Sequence, residues 1–347
     1  MDGVGLRKLS STNAFIVTDL EGAPSFGIVR SAPKILQGGA KDLARSMTYT
    51  FASFEMQRGG ASGGINATPE ERDEALENFV TEIRDDVSTG MLGLNAGKGI
   101  SPSSFQDLYD IDARSAMRFE SHGEDTLETY LTALGPVVSA DRVVTLNDKT
   151  VAIEGFGEHG PAMIDLIEER GGRVISLSTL SGSITEPSGL NASDVRGRWD
   201  EKGLDFVKSA DGEGEPAWKV FQSGADILFA GSKMGAVNHL TAEKLEIVAL
   251  VPHQPIPFTA RALAILQRKD TKVVPDFIAV AAPIFAAWSD NNEDFSQIIQ
   301  LAEDQIGAVL DEASNHSDGL FLGACYRAES FLETWQESRL FGRPLAS

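Results

Sequence analysis

A single cysteine, Cys325, occurs in the 347 residues, which excludes an internal disulfide framework and leaves no thiolate cluster for a metal. It lies in Leu320-Phe321-Leu322-Gly323-Ala324-Cys325-Tyr326, where it reads as a small buried thiol rather than a nucleophile. Positive charge is scarce as well. Thirty Lys and Arg against 51 Asp and Glu give a formal net charge of -21. Nucleic acid and anionic membranes bind through cations that neutralise phosphate, so neither is an expected partner. The acidity fits a need for solubility, or a saline cytoplasm. The start of the chain has no apolar segment of signal-peptide type, and nowhere are there the roughly 18 consecutive apolar residues of a membrane span. A cytoplasmic protein is expected. What the chain does have, 42% hydrophobic and 23% charged residues, suffices for two cores at this length.

The order of elements points to an α/β fold. Ala14-Phe15-Ile16-Val17-Thr18 and Phe26-Gly27-Ile28-Val29-Arg30 read as strands. Residues 39–57 read as a helix, with Leu43, Met47, Phe51 and Phe54 at three- and four-residue spacing, stopped by a Gly-rich loop over 59–64. Thr68-Pro69-Glu70-Glu71 reads as a helix start with Thr68 as N-cap, continuing to about Val87. A helical pattern over 124–134 leads out of the first domain. Further strands are expected at 149–154, 173–177, 225–229, 247–251 and 272–275, and a last helix near 324–340. The predicted organisation is an N-terminal α/β domain over 1–130, a Rossmann-type doubly wound domain over 131–320, and a C-terminal helix over 321–347 folding back on the first.

Within that second domain, Gly155, Gly157 and Gly160 form G-x-G-x-x-G directly after a strand and at the mouth of a helix. The first glycine permits the tight turn, the second lets a pyrophosphate approach the backbone, and the third allows close strand–helix packing. The helix N-terminus offers N–H groups to an anion. The expected cofactor-binding residues are Gly155, Gly157, Glu158, His159 and Gly160, with Thr179 at the end of the following strand. Glu158 is unfavourable there unless its carboxylate turns away from the phosphates.

The run Met47-Thr48-Tyr49-Thr50-Phe51-Ala52, the block Gly59-Gly60-Ala61-Ser62-Gly63-Gly64-Ile65-Asn66 and the stretch from Val151 to Gly160 together resemble the glutamate/leucine/phenylalanine/valine dehydrogenase family. The resemblance covers roughly residues 12–340. It implies two α/β domains about a cleft, the first building an oligomer and the second binding NAD or NADP, and oxidative deamination of an amino acid. The family carries lysines at the positions of Thr50 and Ser62, twelve residues apart, and neither replacement is a cation or a base near neutral pH. The family acid falls in Leu94-Asn95-Ala96-Gly97-Lys98-Gly99, with Lys98 in its place. Glutamate members carry lysine at Phe26, where leucine-type members are apolar, so Phe26 suits the leucine-type pattern. Phe26, Gly27, Thr50 and Ser62 are therefore the expected substrate-pocket residues. The family's Ala-Asn-Gly-Pro reads Pro252-His253-Gln254-Pro255 here. Thr179 stands where the family commonly has Asp; its hydroxyl would tolerate a 2'-phosphate, but no arginine adjoins it.

Three readings follow. In the first, the protein has lost ordinary deamination and serves as a ligand- or nucleotide-binding subunit, as a homo-oligomer or assembled with an active homologue; NAD or NADP binding is then either kept or lost. In the second, it is an active oxidoreductase on an altered amino-acid-like substrate with a relocated base, Lys98 or His253, the latter titrating near neutrality. Arg58 and His122 are further candidates, and each has a bland reading: Arg58 and Lys98 as solvated loop charges, His122 as a turn residue. A non-catalytic interaction protein with an empty cleft is a third possibility. No metal site is expected.

Overall fold

The computed structural model describes residues 4–208, 212, 214–290, 293–337 and 342–346. The chain divides into two compact units, Met1–Ala116 with Cys325–Leu345, and Met117–Ala324. Among the described residues no helix is long and apolar enough to cross a membrane.

The first unit is built on strands β1 (Gly5–Lys8), β2 (Ala14–Thr18), β3 (Ser25–Ala32), β4 (Gly59–Asn66) and β5 (Leu92–Ala96), in the order β1-β2-β4-β3-β5. β4 runs parallel to β3 and antiparallel to β2. Helices α1 (Gln37–Ser53) and α2 (Arg72–Ser88) cover opposite faces. The α2 stripe Leu76, Phe79, Val80 and Ile83 packs with Val29, Ile65, Leu92 and Leu94. On the other face, Ala40 and Ala44 of α1 meet Phe15 and Val17.

The expected loop over 59–64 is a strand, and a central one. Its glycines serve packing rather than turning. A Cβ on Gly60 would lie 1.8 Å from Ala44 O, on Gly63 2.9 Å from Val29, and on Gly64 2.6 Å from the Phe15 ring. Glycine weakens a strand by propensity, but here it lets helix backbone sit directly on the sheet. Thr68 is not the cap expected of it: α2 starts at Arg72, and Glu71 Oε2 instead accepts from Thr68 N and Oγ1, at 3.2 and 3.1 Å, closing a separate turn.

After a short antiparallel pairing of Ser121–His122 with Asp125–Thr126, the second unit continues in α3 (Leu127–Val144), capped by Thr126, whose Oγ1 accepts from Thr129 N. It runs ten residues beyond the expected end, through Pro136, because Leu131, Leu134, Val137 and Ala140 keep its buried face continuous. There follow β6 (Thr150–Glu154), α4 (Gly160–Glu169), β7 (Arg173–Thr179), β8 (Gly182–Thr185), α5 (Ala192–Lys202), β9 (Ile227–Ala230), α6 (His239–Lys244), β10 (Ala249–Pro252), α7 (Ala260–Arg268) and β11 (Lys272–Val273). The sheet order is β8-β7-β6-β9-β10-β11. All neighbours are parallel except the edge hairpin β7–β8. The parallel strands are near-continuous apolar runs because both faces are covered. Chain order reverses between β6 and β9, the switch point where such sheets bind ligands at their carboxyl ends. Helices α8 (Phe295–Ser314) and α9 (Leu320–Leu332) complete the chain. α9 starts four residues before the helix expected over 324–340, whose positions 338–340 lie outside the described residues. From Cys325 on, this segment belongs to the first unit, where Arg327 Nε donates to Ser53 O (3.0 Å) and Tyr49 OH to Glu329 (3.1 Å).

Candidate functional site

In the first unit, Thr50 and Ser62 are both buried, at 1% and 0% exposure. Thr50 Oγ1 donates back to Ser46 O in its own helix (3.1 Å), as helical threonines do when no better acceptor is present. Ser62 lies on β4 between Val17 of β2 and Ile28 of β3, and its buried Oγ has no hydrogen-bond partner among the described residues. The neighbouring Thr48 supplies the polar link between helix and strand, its Oγ1 accepting from Gly60 N at 2.9 Å.

Phe26 is buried against Phe51 in an edge-on contact at 6.0 Å. Two guanidinium groups flank its ring, Arg58 at 5.4 Å and Arg114 at 5.8 Å from the centroid, and Arg114 is ion-paired to Asp112. Arg58 is therefore not a solvated loop charge: it is half-buried, and desolvation lowers its pKa. Gly27 has Ala61 O where a Cβ would stand, at 1.7 Å. Lys98 is exposed in the turn after β5, where its carbonyl accepts from Ser31 N (2.9 Å).

In the second unit, Gly155 has φ +89°, and a Cβ there would strike Ser232 N at 2.3 Å. The amides of Gly155 and Phe156 both donate to Ser178 O, at 3.1 and 2.7 Å, tying the glycine turn to β7. Gly160 lies under the Phe156 ring, 2.6 Å from where its Cβ would be. Gly157 differs. Among the described residues other than its chain neighbours, only Gly155 O, at 4.0 Å, approaches the place of its Cβ, so this face of the turn is open there. Glu158 is exposed at the mouth of α4.

His159 and His253 form a buried pair. His159 Nε2 and His253 Nδ1 are 2.9 Å apart, and His253 Nε2 lies 2.8 Å from Glu154 O. A carbonyl only accepts, so His253 Nε2 carries a proton and donates to it; His253 Nδ1 then accepts from His159 Nε2–H. Both rings are neutral in this arrangement. Burial pushes the pKa of His159 down to about 3, with His253 adding to the shift, and burial likewise lowers that of His253. The expectation that His253 titrates near neutrality is thereby corrected: it is 1% exposed and both its ring nitrogens are engaged. His122 packs edge-on against Tyr130 (4.5 Å) and Phe295 (5.7 Å).

Glu154, which sequence reading passed over, ends β6 with its Oε2 accepting from Gly231 N and Ser232 N, both at 3.1 Å. The carboxylate thus pins β6 to β9 across the switch point. An acid closing an otherwise apolar strand was the available signal. Thr179 is also more committed than expected. Its hydroxyl donates to Leu204 O (2.7 Å) and accepts from Ser181 N (3.0 Å), at 4% exposure, so it is not available to a ribose or a 2'-phosphate.

With this geometry in place, comparison with known proteins is informative. The family model for glutamate/leucine/phenylalanine/valine dehydrogenase matches residues 127–312. The chain belongs to this family. It is 26% identical over 318 residues to an NADP-specific glutamate dehydrogenase A1 of Halobacterium salinarum, covering 84% of this chain and 75% of that protein. It is 22% identical over 319 residues to an NAD-specific glutamate dehydrogenase A from the same organism, covering 84% and 71%. Its fold is similar to that of a hetero-hexameric glutamate dehydrogenase from Thermus thermophilus in a Leu-bound form, with TM-score 0.75 and 21% identity over 92% of this chain and 84% of that one.

The second unit has what a dinucleotide needs at the phosphates: a positive-φ glycine turn, an open backbone face at Gly157 and the N-terminus of a ten-residue helix. These residues fit the group.

Proposed function

We propose that this dehydrogenase-family protein no longer deaminates ordinary amino acids, and that it serves as a nucleotide- or ligand-binding subunit, assembled with itself or with an active homologue. One observation carries the reading: Thr50 and Ser62, where the resemblance implies lysine, are both buried hydroxyl residues. Deamination requires a cation for the substrate carboxylate and a base to activate water. A threonine bonded to its own helix and a buried serine supply neither. Loss of an acid–base group costs on the order of 100- to 10,000-fold, and loss of the carboxylate clamp adds to it.

Gly155, Gly157 and Gly160 would hold the dinucleotide phosphates, and the bound nicotinamide would supply hydride-transfer capacity. The hetero-hexameric assembly of the Thermus thermophilus neighbour supports a mixed oligomer, with the first unit as its assembly domain. A cytoplasmic setting accords with the composition. The relocated-base alternative has less support, because His253 has both nitrogens bonded and Lys98 stands exposed on a turn.

The test is reduction of NAD or NADP by purified protein with leucine, phenylalanine, valine or glutamate. The expected rate is at least about 100-fold below that of an ordinary family enzyme. An ordinary rate with any of the four overturns the reading.

A further inference from the structure

The end of β7 lacks the acid that would grip the adenosine ribose, and the residue in its place, Thr179, spends its hydroxyl on Leu204 O and Ser181 N. That bond to Leu204 draws a one-turn 3-10 segment, Gly203–Val207, against the strand end. The segment is fixed on its other side too. Phe206, wholly buried, packs 5.3 Å from the ring of Phe156 in the glycine turn and 6.0 Å from Trp199 of α5. Asp205 stands between these two anchors. Its carboxylate lies 2.7 Å from Lys208 Nζ, and its side chain is 60% exposed. Lys208, and after it Ser181, hold the carboxyl below the usual carboxylate range, so it is ionised. An ionised, solvent-facing acid is thus delivered to the strand end by a different element from the strand itself.

We propose that Asp205 is the ribose-recognising acid of this chain, accepting from the adenosine ribose hydroxyls of a dinucleotide held at Gly155–Gly160 and selecting NAD over NADP. A carboxylate accepts from two vicinal hydroxyls but repels a 2'-phosphate. Lys208 pairs with Asp205 at 2.7 Å but keeps two further N–H donors, so the Lys208→Gln variant separates its charge from the acid's preference. The inference rests on the reading that the glycine turn binds a dinucleotide.

The experiment is titration of the full chain with NADH and with NADPH, followed by calorimetry and nicotinamide fluorescence, for wild type, Asp205→Asn and Lys208→Gln. Wild type should bind NADH at least about tenfold more tightly than NADPH, and Asp205→Asn should weaken NADH about tenfold while leaving NADPH unchanged or tighter. Lys208→Gln, which keeps the acid, should retain the preference for NADH. Asp205 is exposed, so circular dichroism of its variant should match wild type. A wild-type preference for NADPH, or NADH binding untouched by Asp205→Asn, overturns the assignment. Absence of binding of either nucleotide at millimolar concentration overturns instead the nucleotide reading beneath it, and the assignment falls with it.

Discussion

Lowering the pH from 7 to 5 should destabilise the second unit through the buried histidine pair, by an amount the structure allows to be worked out. His159 is neutral when folded, with its pKa pushed down to about 3 by burial and by His253, against 6.5 for the free side chain. A group whose folded pKa is depressed below its unfolded value binds fewer protons in the native state. For a histidine, the native state is then unpenalised above about pH 6.5 and loses stability as pH falls through 6.5 toward 3. At pH 5 the loss is about 1.5 pH units, or about 2 kcal/mol for His159 alone at roughly 1.4 kcal/mol per unit. Burial shifts His253 in the same direction, so it adds to the loss. Urea unfolding at pH 7 and pH 5 at fixed ionic strength measures it. Trp199, Trp218 and Trp288 all lie in the second unit and report its transition. The comparison that isolates the ring is wild type against His159→Gln, because the carboxylates titrate in both. Wild type should lose about 2 kcal/mol more than the variant between the two pH values. Equal losses would refute the buried neutral pair. So would nitrogen-15 spectra showing His253 protonated at Nδ1 rather than Nε2.

Three further outcomes are expected. Ser62→Lys, which puts the family residue back, should not restore deamination and should cost at least about 3 kcal/mol in chemical denaturation, since an ammonium would be buried without a partner between β2 and β3; a stable variant that reduces NAD with glutamate would contradict this. Gly60→Ala should cost about 1–3 kcal/mol or more by forcing α1 away from β4, because its Cβ would meet backbone oxygen at 1.8 Å; a melting temperature like that of wild type would show that the helix sits further off. With a net charge of -21, the melting temperature should rise between about 0.1 and 1 M KCl as self-repulsion is screened, and a flat or falling dependence would show that repulsion is not a significant term.

The glycine turn at 155–160 is legible in the sequence because a strand, a G-x-G-x-x-G spacing and an amphipathic helix follow one another locally. Thr50 and Ser62 stand out in the sequence for a similar reason, because the resemblance implies lysine at both places, twelve residues apart. The Gly-rich run at 59–64 was misread as a loop because glycine's local preference and its use under a helix leave the same residues in sequence. The pattern at Thr68–Glu71 likewise matched a helix start, yet Glu71 turned back onto Thr68. Partners distant in sequence left no local trace. His159 and His253 are 94 residues apart, and Thr179 meets Leu204 across 25.

The linear order of residues by itself determined the α/β architecture and the parallel sheet, because periodicity and short motifs act over a few turns of chain. Only the tertiary structure decided which polar groups are spent internally. It drew the Thr179 hydroxyl away from the ribose position, locked both nitrogens of His253 and brought Asp205 to the strand end. Whether a side chain is free to act depends on burial and on hydrogen-bond partners from other elements, and those are properties of the folded state alone.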